Sequence, residues 1–237
     1  MLSSTPRDGD AAASAPHSGY LRLSAWAAHS PLIRSSYDTI KRATRPLYRT
    51  GYVQLLDRHE LPILFNARGL LGCGVEIGVQ QGLFSESLLS SWRGRHLISI
   101  DPWRAAESDY HDAANVPQEM HDAFHQEAVQ RLASFGERST IWRMYGEEGA
   151  ERIPHHSMDF VYIDARHDYD SVIGDLSTWI DKVRPGGVLC GHDYMDADAS
   201  DADFGVKAAV GDFFSSRPHK VKATLRDLPW RSWYVLL

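Results

Sequence analysis

Only two cysteines, Cys73 and Cys190, occur in 237 residues. Two isolated thiols make no disulfide framework, so the fold must stand on its core, and a reducing, cytoplasmic setting is the simplest expectation. Basic charge is also short. Twenty-five Lys and Arg face 31 Asp and Glu, a net charge of −6, which leaves no bulk electrostatic case for a nucleic-acid partner. No apolar run approaches the roughly 18 residues that a membrane-spanning helix needs. The opening stretch MLSSTPRDGDAAASAPHSG lacks the apolar segment of a secretory signal, and Asp8 and Asp10 run against a transit peptide. Residues 1–18 are therefore expected to form a disordered tail. A G-x-G-x-x-G fingerprint is missing as well, which weighs against a dinucleotide cofactor.

What remains is an ordinary globular composition, 43% hydrophobic and 24% charged, in a length that suits one domain with an extension. Residues 19–72 read as an N-terminal helical extension. Ser30 and Pro31 suit a helix start, Leu32, Ile33, Tyr37 and Ile40 recur at helical spacing, and an apolar stretch runs from Tyr52 to Phe65. From Cys73 the chain alternates strand and helix, the signature of a parallel sheet covered on both faces. GCGVEIGV, HLISID, STIWRM, MDFVYID and GGVLCGHD are the predicted strands. Between them, helices are expected over about 83–91, along the Met120, Phe124, Ala128, Leu132 stripe, and along the face from Tyr169 to Val183, which Pro185-Gly186-Gly187 stops. A helix over 204–214 and two short strands around 221–225 and 233–237 complete residues 73–237 as a doubly wound α/β domain. Ligands in such sheets bind at the carboxyl ends of the strands, where strand order reverses.

Chemistry-bearing residues collect at those ends. Glu76-Ile77-Gly78-Val79-Gln80-Gln81-Gly82 follows the first strand. Gly78 and Gly82 permit a tight turn and close backbone approach. Glu76 would repel a diphosphate, but not a ligand carrying an ammonium and a sulfonium. Asp101 ends the second strand, placed to accept hydrogen bonds from the hydroxyls of an adenosine ribose. Met144-Tyr145-Gly146-Glu147 follows the third, with Gly146 and Glu147 placed to line an adenine pocket. Asp164-Ala165-Arg166-His167 and Gly191-His192-Asp193 follow the fourth and fifth. Two carboxylates and an imidazole there, from Asp164, Asp193 and His192, could hold a divalent cation, Mg²⁺ or Mn²⁺. His167, three residues past Asp164, could reach a substrate hydroxyl. The plainer alternative is that His167 and Asp168 cap the next helix while His192 fills a buried loop.

The segments VEIGVQQGLFSESLL, ISIDPW, DFVYIDARHDYDSVIGDLSTWIDKVRPGGVLCGHDY and GVKAAVGDFF together resemble class I methyltransferases of the macrocin/mycinamicin sugar O-methyltransferase type, over roughly residues 73–215. The resemblance implies a Rossmann-like sheet of seven strands with the last antiparallel. It also implies S-adenosylmethionine over Gly78 and Gly82, with its ribose on Asp101. In metal-dependent relatives, residues at the positions of Asp164, His192 and Asp193 bind Mg²⁺ and the histidine at the position of His167 is the base. Here His192 stands in place of an acid, and Ala165 in place of the usual glycine. The implied acceptor is a small-molecule hydroxyl, and family habit allows a homo-oligomer. Two other readings stay open: a methyltransferase without metal acting on a phenol or amine, and a non-catalytic domain that keeps the cofactor fold.

Overall fold

A computed structural model describes residues 54–106, 112, 114–195, 204–226 and 228–237. The expected tail and the helix starting at Ser30 lie outside the described residues. Of the extension, residues 54–72 are described. A 3₁₀ turn, Arg58–Glu60, leads into helix α1, Leu61–Arg68. Pro62 occupies the first turn, where no amide is needed, and Gly69 ends the helix in the left-handed region at φ 75°.

The domain then runs β1 (Cys73–Ile77), α2 (Leu83–Ser91), β2 (His96–Asp101), α3 (Gln118–Leu132), β3 (Ser139–Arg143), α4 (Gly146–Glu151), β4 (Met158–Ile163), α5 (Tyr169–Trp179), β5 (Val183–Gly191), α6 (Val206–Ser215), β6 (Lys222–Ala223) and β7 (Trp233–Leu236). The strands form one seven-stranded sheet ordered β3-β2-β1-β4-β5-β7-β6. β1 to β5 pair in parallel, and β7 runs antiparallel to both β5 and β6. This is the expected Rossmann-like architecture. Strand order reverses between β1 and β4, so the crevice above that pair is where a ligand belongs.

Side-chain alternation along the strands assigns the two faces. Val75, Ile77, Ile98, Ile100, Val161, Ile163 and Leu189 meet Val172, Leu176 and Trp179 of α5 and Val206, Val210 and Phe213 of α6. Leu97, Phe160, Tyr162, Val188 and Cys190 meet Leu61, Leu64 and Phe65 of α1 and Phe84, Leu88 and Trp92 beside α2. Gly74 makes room on that second face, since a Cβ there would fall 2.2 Å from the Phe160 ring. The ring stacks on Phe65 with centroids 4.1 Å apart and meets Trp92 edge-on at 4.9 Å.

Two elements depart from the expected boundaries. β5 begins at Val183 rather than at Gly186, where the expected strand starts, so Pro185 and both glycines lie inside it. Met158 pairs with Val183 and Phe160 with Val188, so the strand bulges between them. A Cβ on Gly187 would come 2.7 Å from the Asp159 carbonyl, which explains the glycine. α4 is a helix that the sequence pattern does not announce; at six residues it shows little periodicity. Among the described residues, no helix is long and apolar enough to cross a membrane.

Candidate active site

At the carboxyl end of β1 the chain turns through Gly78, at φ 81°. A Cβ there would lie 1.8 Å from the Asp164 carbonyl oxygen, so only glycine allows the ends of β1 and β4 to close. Backbone bonds continue that closure. Gly78 N donates to Ile100 O at 2.9 Å, Asp164 N to Ile77 O at 2.8 Å, and His192 N to Ile163 O at 3.1 Å. Gly82, at φ 74°, opens α2 and faces the Ala128 backbone of α3.

Asp101 braces this turn. Its Oδ2 accepts from Val79 N at 2.8 Å and Gln80 N at 3.0 Å, and its Oδ1 from Trp103 N at 2.7 Å. A carboxylate has about four acceptor sites, so the same side chain that organises the loop retains capacity for a further donor.

Glu76 sits beneath the turn, 1% exposed. Alternation turns it to the α2 face, across from Ser99 of β2, where Ser85 donates to its Oε2 and Ser99 lies 3.5 Å away. Burial, opposed by the Ser85 hydrogen bond and reinforced by the charge of Asp164, pushes its pKa up to about 8. Gly146 opens α4 beside Ile77 of β1, while Glu147 is exposed in the first turn. Buried Asp175 of α5 stands near Gly146, its pKa pushed up to about 7 by burial and then by Glu147.

The acidic centre lies at the ends of β4 and β5. Ligand atoms of Asp164, His167 and Asp193 all fall within 4.8 Å of one another. His167 Nε2 is 2.9 Å from Asp193 Oδ2 and 4.0 Å from Asp164 Oδ1. His192 Nδ1 is 3.0 Å from Asp193 Oδ1 and 4.0 Å from Asp164 Oδ1, at the edge of the same group. Asp193 takes a left-handed backbone, φ 52°, rare for a residue with a Cβ and typical of functional loops. Burial works against the charge of His167, but Asp112, Asp164 and Asp193 outweigh it and raise its pKa to about 11. Burial likewise opposes the Asp193 carboxylate, and hydrogen bonds from His167 and His192 pull its pKa below the usual range.

The structure thus brings Asp164, His167, His192 and Asp193 together, places Gly78 against Asp164, and sets Asp101, Gly146 and Glu147 along the β2–β3 side. Four further residues carry no signal in the sequence. Asp112, its side chain nearly buried, holds His167 Nδ1 at 2.5 Å through Oδ2. Phe204 stacks on the His167 ring, centroids 4.7 Å apart and 5° from parallel, and Trp230, 44% exposed, continues that wall at 5.4 Å. Arg58 brings its Nη1 to 3.4 Å from Asp164 Oδ2 and its guanidinium to 4.9 Å from the Phe84 ring centroid. Spacing reveals none of these, because each partner lies 26 to 106 residues away.

A family model described as a methyltransferase domain matches residues 75–194, just over half of the chain. The chain belongs to this methyltransferase-domain family. An uncharacterized protein of Sinorhizobium fredii, y4gI, is 22% identical over 156 residues, 64% of this chain and 15% of that protein. The chain therefore spans only about 15% of the length of that relative. Among solved structures, this methyltransferase domain is similar to the O-methyltransferase TomG of Streptomyces achromogenes, involved in tomaymycin synthesis and solved with SAM. There the TM-score is 0.55 and the identity 18%, with 76% of this chain and 78% of that one covered. An O-methyltransferase of Bacillus cereus in complex with SAH gives 0.54 and 14%, covering 84% and 91%. A Corynebacterium glutamicum protein gives 0.53 and 16%, covering 92% and 96%. At these identities the likeness is one of fold.

Proposed function

We propose that the chain is an S-adenosylmethionine-dependent O-methyltransferase of the macrocin/mycinamicin type, acting on a hydroxyl of a ring-bearing small molecule, a sugar or another natural product. One observation carries the reading. A histidine held by an aspartate on one nitrogen presents the other to two carboxylates, one strand away from a glycine turn braced by the β2 acid. The side chains around the crevice fit the cofactor. Asp101, Asp164 and Asp193 favour a ligand with an ammonium and a sulfonium over one with a diphosphate. They fit a divalent cation too, since Asp164 and Asp193 offer oxygens and the neighbouring imidazoles offer nitrogens at converging positions.

When bound, S-adenosylmethionine would supply an electrophilic methyl group, and a cation on Asp164 and Asp193, with His192 as the nitrogen donor, would supply Lewis acidity that lowers the pKa of a hydroxyl. The residues of the chain do the rest. Asp101 and the Gly78–Gly82 turn orient the donor, and Phe204 and Trp230 offer an aromatic wall to the acceptor ring. Asp112 fixes the His167 tautomer so that Nε2 faces the reacting hydroxyl and takes its proton as the new O–CH₃ bond forms and the S–CH₃ bond breaks. Positioning is the larger part of such a displacement, and well-oriented pairs gain on the order of 7–11 kcal/mol. General-base assistance adds about 10²–10⁴-fold. A base must be neutral, and the three carboxylates around His167 hold it protonated; positive charge on Asp164 and Asp193 is what would release that proton.

A second reading is transfer without metal to a phenol or amine, acceptors that need less activation than a sugar hydroxyl. Calorimetric titration with S-adenosylhomocysteine, beside NAD and beside Asp101→Ala, tests the cofactor. Binding in the micromolar range that the variant loses, with no response to NAD, supports it. Well-folded protein that binds no S-adenosylhomocysteine would refute it. Repeating turnover with chelator, Mg²⁺ and Mn²⁺ separates the two readings.

A further inference from the structure

Arg58 lies outside the residues matched by the family model, yet it reaches the crevice. Its turn is fixed locally, with Asp57 Oδ1 accepting from His59 N at 2.9 Å and Glu60 Oε2 from Leu56 N at 2.8 Å. It is fixed from behind by Leu225 N to Leu55 O at 3.0 Å and Arg226 N to Leu56 O at 2.7 Å. From this base the side chain spans two walls. One is Phe84, in the first turn of α2 just after Gly82, over whose ring the guanidinium lies. The other is the end of β4, where Asp164 Oδ2 lies 3.4 Å from its Nη1 and Tyr162 is a further hydrogen-bond partner.

Strand order decides what crosses between those walls. The ribose belongs at Asp101 on β2 and the transferred methyl at the acidic centre on β4 and β5, so the methionine part of the cofactor must pass over the end of β1. That part is a zwitterion. Its ammonium finds the carboxylates already described, whereas its carboxylate would meet Asp164 and Asp193 as like charges. A planar guanidinium offers the paired donors that a carboxylate accepts. The aromatic ring beneath Arg58 covers one face of the guanidinium and directs its bonding through the N–H edge.

We propose that Arg58 binds the α-carboxylate of the methionine moiety of S-adenosylmethionine, an assignment that rests on the cofactor reading above. The test compares the full chain with Arg58→Met and Arg58→Lys by calorimetry, using S-adenosylhomocysteine and 5′-methylthioadenosine. The second ligand keeps the nucleoside and the thioether but has no amino-acid end. A charge-assisted contact of this kind is worth about 10–100-fold in affinity. Arg58→Met should weaken S-adenosylhomocysteine by that factor and change 5′-methylthioadenosine less than about twofold, with Arg58→Lys in between. Equal weakening of both ligands would assign Arg58 to structure alone and overturn the proposal, as would unchanged S-adenosylhomocysteine affinity. Wild-type protein that binds neither ligand refutes the cofactor reading itself, a separate result.

Discussion

Glu76→Gln should change how stability depends on pH more than it changes stability at any one pH. The carboxyl has an ordinary value of 4.5 and a folded value of about 8. Below the ordinary value both folded and unfolded chains carry the proton, and burial costs nothing through ionisation. As pH rises, the unfolded chain releases its proton first while the folded chain keeps it until about 8. Stability is therefore lost through that window at about 1.4 kcal/mol per pH unit, a ceiling of roughly 5 kcal/mol and about 3 kcal/mol by pH 7. Glutamine cannot ionise, so it removes the slope. It also leaves an amide N–H₂ in a pocket built of hydroxyl donors, which costs about 1–3 kcal/mol at every pH. The offset of the variant is thus uninformative and the slope decides. Urea unfolding of both proteins at pH 5, 6, 7 and 8 measures it. The difference between them should shift in favour of the glutamine variant steadily from pH 5 to 8. Parallel stability curves would refute the placement of an ionisable carboxyl beneath the turn.

Three further outcomes are expected. Gly78→Ala places a methyl group against the Asp164 carbonyl in a backbone conformation unfavourable to alanine; it should destabilise by more than about 2 kcal/mol and abolish S-adenosylhomocysteine binding, read by thermal unfolding and titration. Phe160→Ala removes a ring packed between Phe65 and Trp92 and should cost about 3–5 kcal/mol in denaturant unfolding. Asp112→Asn should lower kcat by about 10²-fold, alter its pH profile and leave S-adenosylhomocysteine affinity unchanged. Unaltered kcat would remove Asp112 from the proton path.

The sheet was legible because its strands are short apolar runs bounded by turns, and because buried parallel strands have no polar side to confuse the period. Helix 83–91 matched its expected limits, with Gly82 before it and the β1 turn fixing its start. The bulge in β5 was not legible, since Pro-Gly-Gly reads equally as a helix stop and as the interior of an irregular strand. In the candidate site, Asp164, His167, His192 and Asp193 could be named in advance because topology delivers strand ends to one crevice. Asp112 and Arg58 could not. Each stands in a segment without periodicity, and its role exists only through a partner that folding brings near. Glu76 shows a third case. Its place before the glycine turn suggests a charge facing the ligand, but alternation along β1 turns it inward to two serines.

The two backbone bonds from Leu225 and Arg226 to Leu55 and Leu56 join the strap that carries Arg58 to the segment that carries Trp230. Donor-side and acceptor-side groups therefore hang on one short frame of main chain rather than on separate loops. An acceptor that orders Trp230, as proposed, would do so on the same piece of main chain that is bonded to the strap of Arg58. If binding at one end stiffens that frame, thermodynamic reciprocity requires the same free energy to appear at the other. On that footing the two substrates of a transfer would be partners in each other's affinity, with filling one berth preparing the other.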